Sequence, residues 1–356
     1  VATLRMVQNF LTERSVQVRL EGEVTERMPL TCGTPQGSPL SPLLYVLYLA
    51  ELLNQNTKLR FGYADDIALV RTSKSLTTNV ELLEQDARQV LDWCDNNKVY
   101  FAWEKSELLH ISRRRSDGAP PVVINDNIRV VPVMDEPGTA NSPAKQAAVR
   151  WLGIYIDRKL SFRRHIAERC GRAMKLAWHL RGLANTKYGP PATSIRKAGI
   201  TCVLPTALYG AEVWYAGRTR PPRNTSQTGK DYVSTKLGEH IKQLQRVIDT
   251  AARSVLPVWK TTPTITLCRD AALPTAEVAL EEVRLRFAFR LHSVDAYHPL
   301  VSRMNPPLIP RGRGAGTPHR AYTRVQLAAK ECGGFSRPLL QPHDIQQAHG
   351  RTQLAD

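Results

Sequence analysis

FGYADDIALV, residues 61–70, sets two carboxylates, Asp65 and Asp66, between two apolar runs. Leu59, Phe61 and Tyr63 come before the pair and Ile67, Leu69 and Val70 after it, strand-favouring residues on both sides. The pattern predicts two short strands meeting at a tight turn. Asp suits such a turn because its side chain can hydrogen-bond its own backbone, so the pair can be turn chemistry alone. It can also be a metal site: adjacent ionised carboxylates repel, and a bound divalent cation offsets the repulsion. The rest of the chain has to decide.

Upstream lies TCGTPQGSPLSPLLYVLYLAELL, residues 31–53. Its first half is a loop of Gly, Pro and Ser, in which Gly33 and Gly37 allow φ values other residues avoid. Its second half predicts a helix starting near Ser41 and Pro42, with Ser as an N-cap oxygen and Pro in the first turn. Ser38 and Ser41 read as caps rather than nucleophiles, since no His or Asp pattern accompanies them. Before the loop, residues 5–20 predict a helix running into a strand, and VQVRLEGEV (16–24) alternates as a half-buried strand does.

Downstream, residues 76–97 predict an amphipathic helix with Val80, Leu83, Ala87, Val90 and Leu91 on one stripe and Trp93 and Cys94 beside it. Residues 98–112 read as an extended segment, a turn and a strand. RRRSDGAPP (113–121) closes this part. Residues 122–133 predict a hairpin around 125–127, 134–148 a loop insertion and 149–157 a strand. Three basic helical stretches follow, near 162–184, 190–203 and 204–216. RTRPPRNTSQTGKD (218–231) is the clearest linker. Helices are expected at 236–256, with Leu237, Ile241, Leu244, Ile248, Ala251 and Val255 on one face, and at 275–293. From about 303 the chain is rich in Pro, Gly and Arg, a composition expected to be poorly ordered.

The net charge is +17, from 49 Lys and Arg against 32 Asp and Glu, which suggests a polyanionic partner. Its distribution is uneven. Residues 1–120 hold 14 basic and 15 acidic side chains, whereas residues 151–220 hold 13 and 3. Six cysteines are scattered without a CxxC pair, against a disulfide scaffold or zinc ribbon. No run of about 18 apolar residues suggests a membrane span. The chain lacks an initiator Met and a signal-peptide pattern and is expected to start inside a longer protein. An intracellular setting is expected, in the nucleus or a cytoplasmic ribonucleoprotein.

GTPQGSPLSPLL (33–44) followed by FGYADD (61–66) resembles the reverse transcriptases, most closely those of non-LTR (LINE-like) retrotransposons. WEKSELLHIS (103–112) resembles the segment those enzymes carry after the catalytic hairpin. RWLGIYIDRKLSFRRHI (150–166) resembles their next strand and first thumb helix. The resemblance covers roughly residues 5–215. It implies an α+β fold, with a partial palm of antiparallel sheet and packed helices over 1–118 and a strand and basic helical thumb over 119–217; periodicity and composition add a helical C-terminal extension over 232–302 and a poorly ordered basic tail over 303–356.

The implied activity is RNA-directed DNA synthesis by two-metal nucleotidyl transfer, with Mg²⁺ (or Mn²⁺), an RNA template, a DNA primer or target, and dNTPs. The implied metal ligands are Asp65 and, with a weaker role, Asp66. Gly33, Pro35, Gln36, Gly37 and Ser38 would lie against the templating base and incoming nucleotide, and Tyr63 at the primer end. Lys105 would face the departing pyrophosphate, and a solvated lysine in a turn is the plain alternative. Trp151 and Gly153 would steady the primer. Arg163, Arg164 and Arg172, with Arg169 and Lys175, would form a basic helical face for phosphates.

Two carboxylates are fewer than the family's metal site needs. A third Asp belongs on a strand several dozen residues before the loop, yet only 32 residues precede Gly33, and their acids are Glu13, Glu21, Glu23 and Glu26. The first catalytic Asp and the fingers are therefore expected to be missing, and the chain alone to be inactive. The alternative function is a non-catalytic nucleic-acid-binding remnant. A group II intron protein or a viral RNA polymerase fits the Tyr-Ala-Asp-Asp and Ser-Pro-Leu-Ser-Pro patterns less well.

Overall fold

The alternating residues around the acidic pair form an antiparallel hairpin, β5 (Arg60–Tyr63) and β6 (Asp66–Leu69), in the computed structural model. It describes residues 2–56, 59–112, 119–135, 146–184, 187–215 and 237–294, with residue 217 and the strand pieces 219–220 and 232–233. The chain divides into two units, residues 1–133 and 134–356. Helices and small two-stranded antiparallel sheets make the fold α+β. Among the described residues no helix is long and apolar enough to cross a membrane.

In the first unit, helix α3 (Leu76–Asn97) buries Val80, Ala87, Val90, Trp93 and Cys94 at helical spacing and stops where Lys98 turns left-handed, φ 54°. Helix α2 (Leu40–Asn54) packs Leu49 and Leu52 against Val90 and Trp93, and β6 lays Ile67 and Leu69 on the same cluster. Gly62 lets β5 lie close to α2, since a Cβ there would sit 2.6 Å from Leu53 Cδ1. Strands β7 (Val122–Asn125) and β8 (Ile128–Val130) add Val122 and Ile124 to a second cluster with Val80, Ala87 and Leu108. α3 also holds the β7 backbone by side chains: Arg88 Nε donates to Ile124 O at 2.9 Å, and Glu84 accepts from Val123 N at 2.9 Å.

The hairpin's base is fixed by a buried charge. Arg60, 3% exposed, donates through Nη1 to Leu52 O (3.0 Å) and Gln55 Oε1 (2.7 Å), at the end of α2. Through Nη2 it reaches Asp86 Oδ1 (2.6 Å) and Gln89 Oε1 (2.9 Å), on α3. Asp86, 1% exposed, also pairs with Arg71 at 3.0 Å. One guanidinium thus ties strand, helix end and helix middle together.

Several local expectations are corrected. α2 begins at Leu40, one residue before Ser41 and so where expected, but Pro39 rather than Ser41 holds the N-cap position. The Ser41 hydroxyl lies inside its first turn and donates to Pro35 O at 2.6 Å, while Ser38 Oγ accepts from Leu40 N at 3.3 Å. Residues 16–24 do not make one half-buried strand. β2 (Arg19–Leu20) folds back on β3 (Glu23–Val24) across Glu21 and Gly22, whose φ values of 50° and 97° reverse the chain, and every residue from 16 to 24 is exposed. Helix α1 (Ala2–Leu11) and strands β1 (Ser15–Val16) and β4 (Met28–Pro29) are likewise without a buried residue. The strand expected before residue 112 is a 3₁₀ turn, Trp103–Lys105, and a single bridge from Leu108 to Pro132.

In the second unit, residues 149–157 also fold as a hairpin, β9 (Ala148–Trp151) and β10 (Ile154–Asp157), turning at Leu152 and Gly153 with φ of 47° and 78°. Two successive left-handed residues match the twist of a two-residue hairpin. Helix α4 (Arg163–Leu183) follows, then α5 (Ala192–Ala198), a π-helical stretch (Gly199–Val203), α6 (Leu204–Leu208) and α7 (Ala211–Trp214). Helices α8 (Gly238–Val255), α9 (Thr264–Asp270), which the sequence did not signal, and α10 (Ala276–His292) join them.

One core spans α4 to α10, with Ala173 and Ala177 of α4 and Ala251 and Ala252 of α8 allowing close helix packing. The linker expected at 218–231 and the tail from 303 lie largely or wholly outside the described residues. Strand pieces β11 (Thr219–Arg220) and β12 (Tyr232–Val233) pair around the former.

Two outcomes follow from buried polar groups. Asp86→Ala leaves Arg60 buried without its anion and lowers the first unit's stability by about 3–5 kcal/mol, read from denaturant unfolding; a loss under about 1 kcal/mol would rule out the latch. In the second unit His165, fully buried, accepts from Tyr155 N (3.3 Å) at Nδ1 and donates to Tyr209 O (2.8 Å) from Nε2. Burial first, and Arg169 with it, hold its pKa below 6.5, against the Tyr209 hydrogen bond and Glu212. The unfolded chain takes up that proton near pH 6.5 while the folded one does not, so stability falls as pH drops below about 6.5 and is unaffected above it. The His165→Gln variant should show a flatter stability profile between pH 7 and 5; an unchanged slope would contradict this account.

Candidate active site

The hairpin register pairs Tyr63 with Asp66, which leaves Ala64 and Asp65 as the two turn residues. Ala64 takes φ 52°, a left-handed conformation that costs an L residue about 1–2 kcal/mol. Asp65 therefore sits at the tip and Asp66 begins β6. Both are exposed, and neither carboxylate has a hydrogen bond or ion pair among the described residues. Two neighbouring, uncompensated hard-oxygen donors fit the chemistry of Mg²⁺. No group of three His, Cys, Asp or Glu able to hold a metal stands together among the described residues.

Asp65 and Ala64 face the Gly/Pro loop across an open groove of about 570 Å³. Residues 34–39 line its far side, and Ser41, Pro42 and Tyr45, from the first turns of α2, line its floor. The structure thus brings Pro35, Gln36, Gly37 and Ser38 to the same groove as Asp65. The Ser41-to-Pro35 hydrogen bond folds the loop back onto α2. Gly33 and Gly37 adopt φ of 73° and 91°, with no heavy atom within 4 Å of where a Cβ would stand. Backbone conformation, not crowding by the protein, calls for glycine there.

Tyr45 was not signalled by its residue type, only by its place one turn into the helix after the loop. Burial, then the Asp65 carboxylate, raise the pKa of its hydroxyl. Tyr63, 65% exposed, stands beside the groove rather than in its lining. Lys105 ends the 3₁₀ turn, exposed, and is not part of the lining.

In the second unit, Trp151 precedes the Leu152–Gly153 turn of β9–β10, whose two carbonyls are both engaged. Tyr209 Oη donates to Leu152 O at 2.7 Å and Arg169 Nη2 to Gly153 O at 2.6 Å, with the Arg169 guanidinium stacked 4.0 Å over the Tyr209 ring. The φ of 78° calls for glycine at 153, and a Cβ there would also come within 2.9 Å of Arg169 Nη2 and press on its bond to Gly153 O. Burial, and next Arg172, lower the Arg169 pKa. Arg164 is partly buried, donates to Gln146 O at 3.0 Å and lies over the Tyr155 ring at 5.5 Å. Arg163 and Arg172 are exposed.

The start of α4 depends on Asp157, which sequence reading missed. Its carboxylate, 1% exposed, accepts from the backbone N–H of Lys159 (3.0 Å), Ser161 (3.0 Å) and Phe162 (2.6 Å). The signal was an Asp followed four residues later by Ser, just before a helix.

Comparison with known proteins gives the same direction. A family described as reverse transcriptase (RNA-dependent DNA polymerase) matches residues 2–156. The chain is 24% identical over 316 residues to the probable RNA-directed DNA polymerase from transposon BS of Drosophila melanogaster, covering 86% of this chain and 31% of that protein. It is 24% identical over 332 residues to the probable RNA-directed DNA polymerase from transposon X-element of the same fly, covering 90% and 32%. To the RNA-directed DNA polymerase from mobile element jockey of D. melanogaster it is 28% identical over 169 residues, covering 45% and 17%. The chain thus spans about a third or less of the length of these relatives. Residues 2–156 are thus similar to the reverse transcriptase family, and the chain over most of its length to proteins named RNA-directed DNA polymerases of transposons and mobile elements.

Proposed function

We propose that this chain supplies part of the palm, and the thumb, of an RNA-directed DNA polymerase that extends a DNA primer on an RNA template with dNTPs. The observation that carries the reading is the groove in which the turn residue Asp65 faces the Gly/Pro loop and the start of α2. Asp65, with Asp66 as the second donor, would hold Mg²⁺, with Mn²⁺ as the other fitting ion. Bound there, a divalent pair stabilises charge on the attacking and leaving oxygens of nucleotidyl transfer.

The chain's own residues position the reactants. The backbone of residues 33–38 offers a surface without side-chain bulk at Gly33 and Gly37, against which a base pair can lie, and Gln36 presents an amide with donors and an acceptor. Tyr63 offers a ring to the primer end. Lys105 would neutralise, or protonate, the departing pyrophosphate. In the second unit the braced Trp151–Gly153 turn would support the primer, and Arg163, Arg164 and Arg172 would meet phosphates without reading sequence.

Two carboxylates do not complete a two-metal site, so we infer that a further Asp comes from outside these 356 residues. That none of Glu13, Glu21, Glu23 and Glu26 lines the groove supports this. So does an apolar face of α2 that stands open, with Leu43 and Leu47 63% and 69% exposed, where further sheet could pack. Five unpaired cysteines among the described residues and the basic charge support an intracellular ribonucleoprotein setting, nuclear or cytoplasmic.

The test is primer extension on a primed RNA template with Mg²⁺. The chain alone should give none. Joined to an upstream polymerase segment carrying an Asp-bearing strand, it should extend, and Asp65→Asn should cut extension by about a hundredfold or more while RNA binding stays within about twofold. Extension surviving Asp65→Asn would end the polymerase reading, and robust synthesis by the chain alone would end the need for a further Asp. That the variant keeps its fold is readable at Tyr45. Losing the Asp65 charge should lower the Tyr45 pKa toward 10, followed by the ¹³Cζ shift in a pH titration.

A further inference from the structure

From Arg169 to Ala211 the chain carries seven Lys and Arg and no Asp or Glu. This stretch forms α4 beyond its second turn, the α4–α5 connection, α5, the π-helical stretch and α6. On α4, Arg172, Lys175, Trp178 and Arg181 follow one another at three-residue intervals, all exposed, while Cys170, Ala173 and Ala177 turn into the core. At 1.5 Å and 100° per residue the exposed series runs about 13 Å along the helix while winding around it, and Lys175, Trp178 and Arg181 share a sector of about 120°.

Two aromatic rings interleave with these cations. Trp178 is 55% exposed, and the Arg181 guanidinium lies 5.2 Å from its ring centroid. Ten residues on, Tyr188 is 83% exposed, with Lys187 Nζ 5.2 Å from its ring. Both rings are open to water, and each has a cation over its face. No carboxylate of the same stretch competes for the cations, so the charge is complementary to a polyanion and the rings to something flat.

We propose that the C-terminal half of α4, with residues 187 and 188 after it, forms a stacking platform for single-stranded nucleic acid, with bases on Trp178 and Tyr188 and phosphates on Lys175, Arg181 and Lys187. Duplex backbones offer phosphates but no free base faces, so rings would add nothing to duplex binding. The selectivity is for strandedness, not sequence, because every base presents a π-face. The platform rests on the reading that the second unit binds nucleic acid, but its test needs no catalysis.

The experiment uses the full 356-residue chain and fluorescence anisotropy with a labelled 20-nucleotide RNA lacking self-complementarity, the same RNA in duplex form, and a matching strand of abasic sites. Trp178→Ala and Tyr188→Ala should each weaken single-strand binding about five- to fiftyfold, with duplex binding within about twofold. Trp178→Phe should restore most of the loss. The abasic strand should bind the unaltered chain about as weakly as RNA binds Trp178→Ala. Arg181→Ala should lower the slope of log K against log salt by about 0.7, and Trp178→Ala should leave it unchanged. Unchanged single-strand binding in both aromatic variants, or equal losses for single strand and duplex, would overturn the platform. Failure of the Asp65→Asn extension test would leave these binding results standing, and the reverse also holds.

Discussion

Everything at the acidic turn depends on what Arg60 does four residues before Ala64. Its guanidinium joins the carbonyl end of α2 to Asp86 and Gln89 on α3, with both charges out of water. Such a pair adds little net stability, because desolvating two ions consumes most of their attraction. What it does is exclude alternatives. Any shift of β5 relative to either helix would leave a buried charge unpaired, at a cost of several kcal/mol. The tip of the hairpin can therefore hold Ala64 in an unfavourable conformation, since about 1–2 kcal/mol of local strain is small beside the cost of moving the base. A solvent-exposed carboxylate on a four-residue strand would otherwise wander. Here its place opposite the loop is set by groups that never touch solvent.

Period decided what could be read from residues alone. The hairpin at 60–69, α3, α8 and α10 followed from repeats of two and of 3.6, and α3 has the expected bounds. Two failures share a cause. Residues 16–24 and 149–157 keep their alternation straight through a two-residue turn, because a two-residue insertion leaves period two unbroken. Only the Gly at 22 and at 153 marks the reversal, and each is preceded by a bulky residue that gives no hint of left-handed backbone.

The site shows the same division. Asp65 and the loop could be paired by spacing, because the family pattern carries both. The groove itself, and Tyr45 in its floor, could not, since that requires knowing that Ser41 pulls Pro35 down onto α2. Asp86 escaped notice for a different reason. On a helical wheel it falls in the apolar stripe, where an acid looks like an irregularity until its partner 26 residues away is known. Asp157 escaped as one more charge in a basic region. Composition counted cations and missed how they are used: Arg164 and Arg169 are both bonded to backbone carbonyls, so they are positioned by the fold before any ligand arrives.

That use of charge gives the second unit its character. Of the three acids between residues 151 and 220, Asp157 is spent on backbone N–H groups, Glu212 faces Arg290 at 4.0 Å, and Glu168 lies on α4 among Arg164, Arg169 and Arg172. Thirteen cations share these three acids, and after burial the Arg172 charge, with Arg150 in the same direction, lowers the pKa of Arg169. Self-repulsion of this kind weakens the folded state slightly and is screened by salt, within about 10 Å at 0.1 M. A polyanion removes it on binding. The repulsion built into the free unit then becomes part of the affinity, and the same salt that relieves the free protein must loosen its grip on nucleic acid.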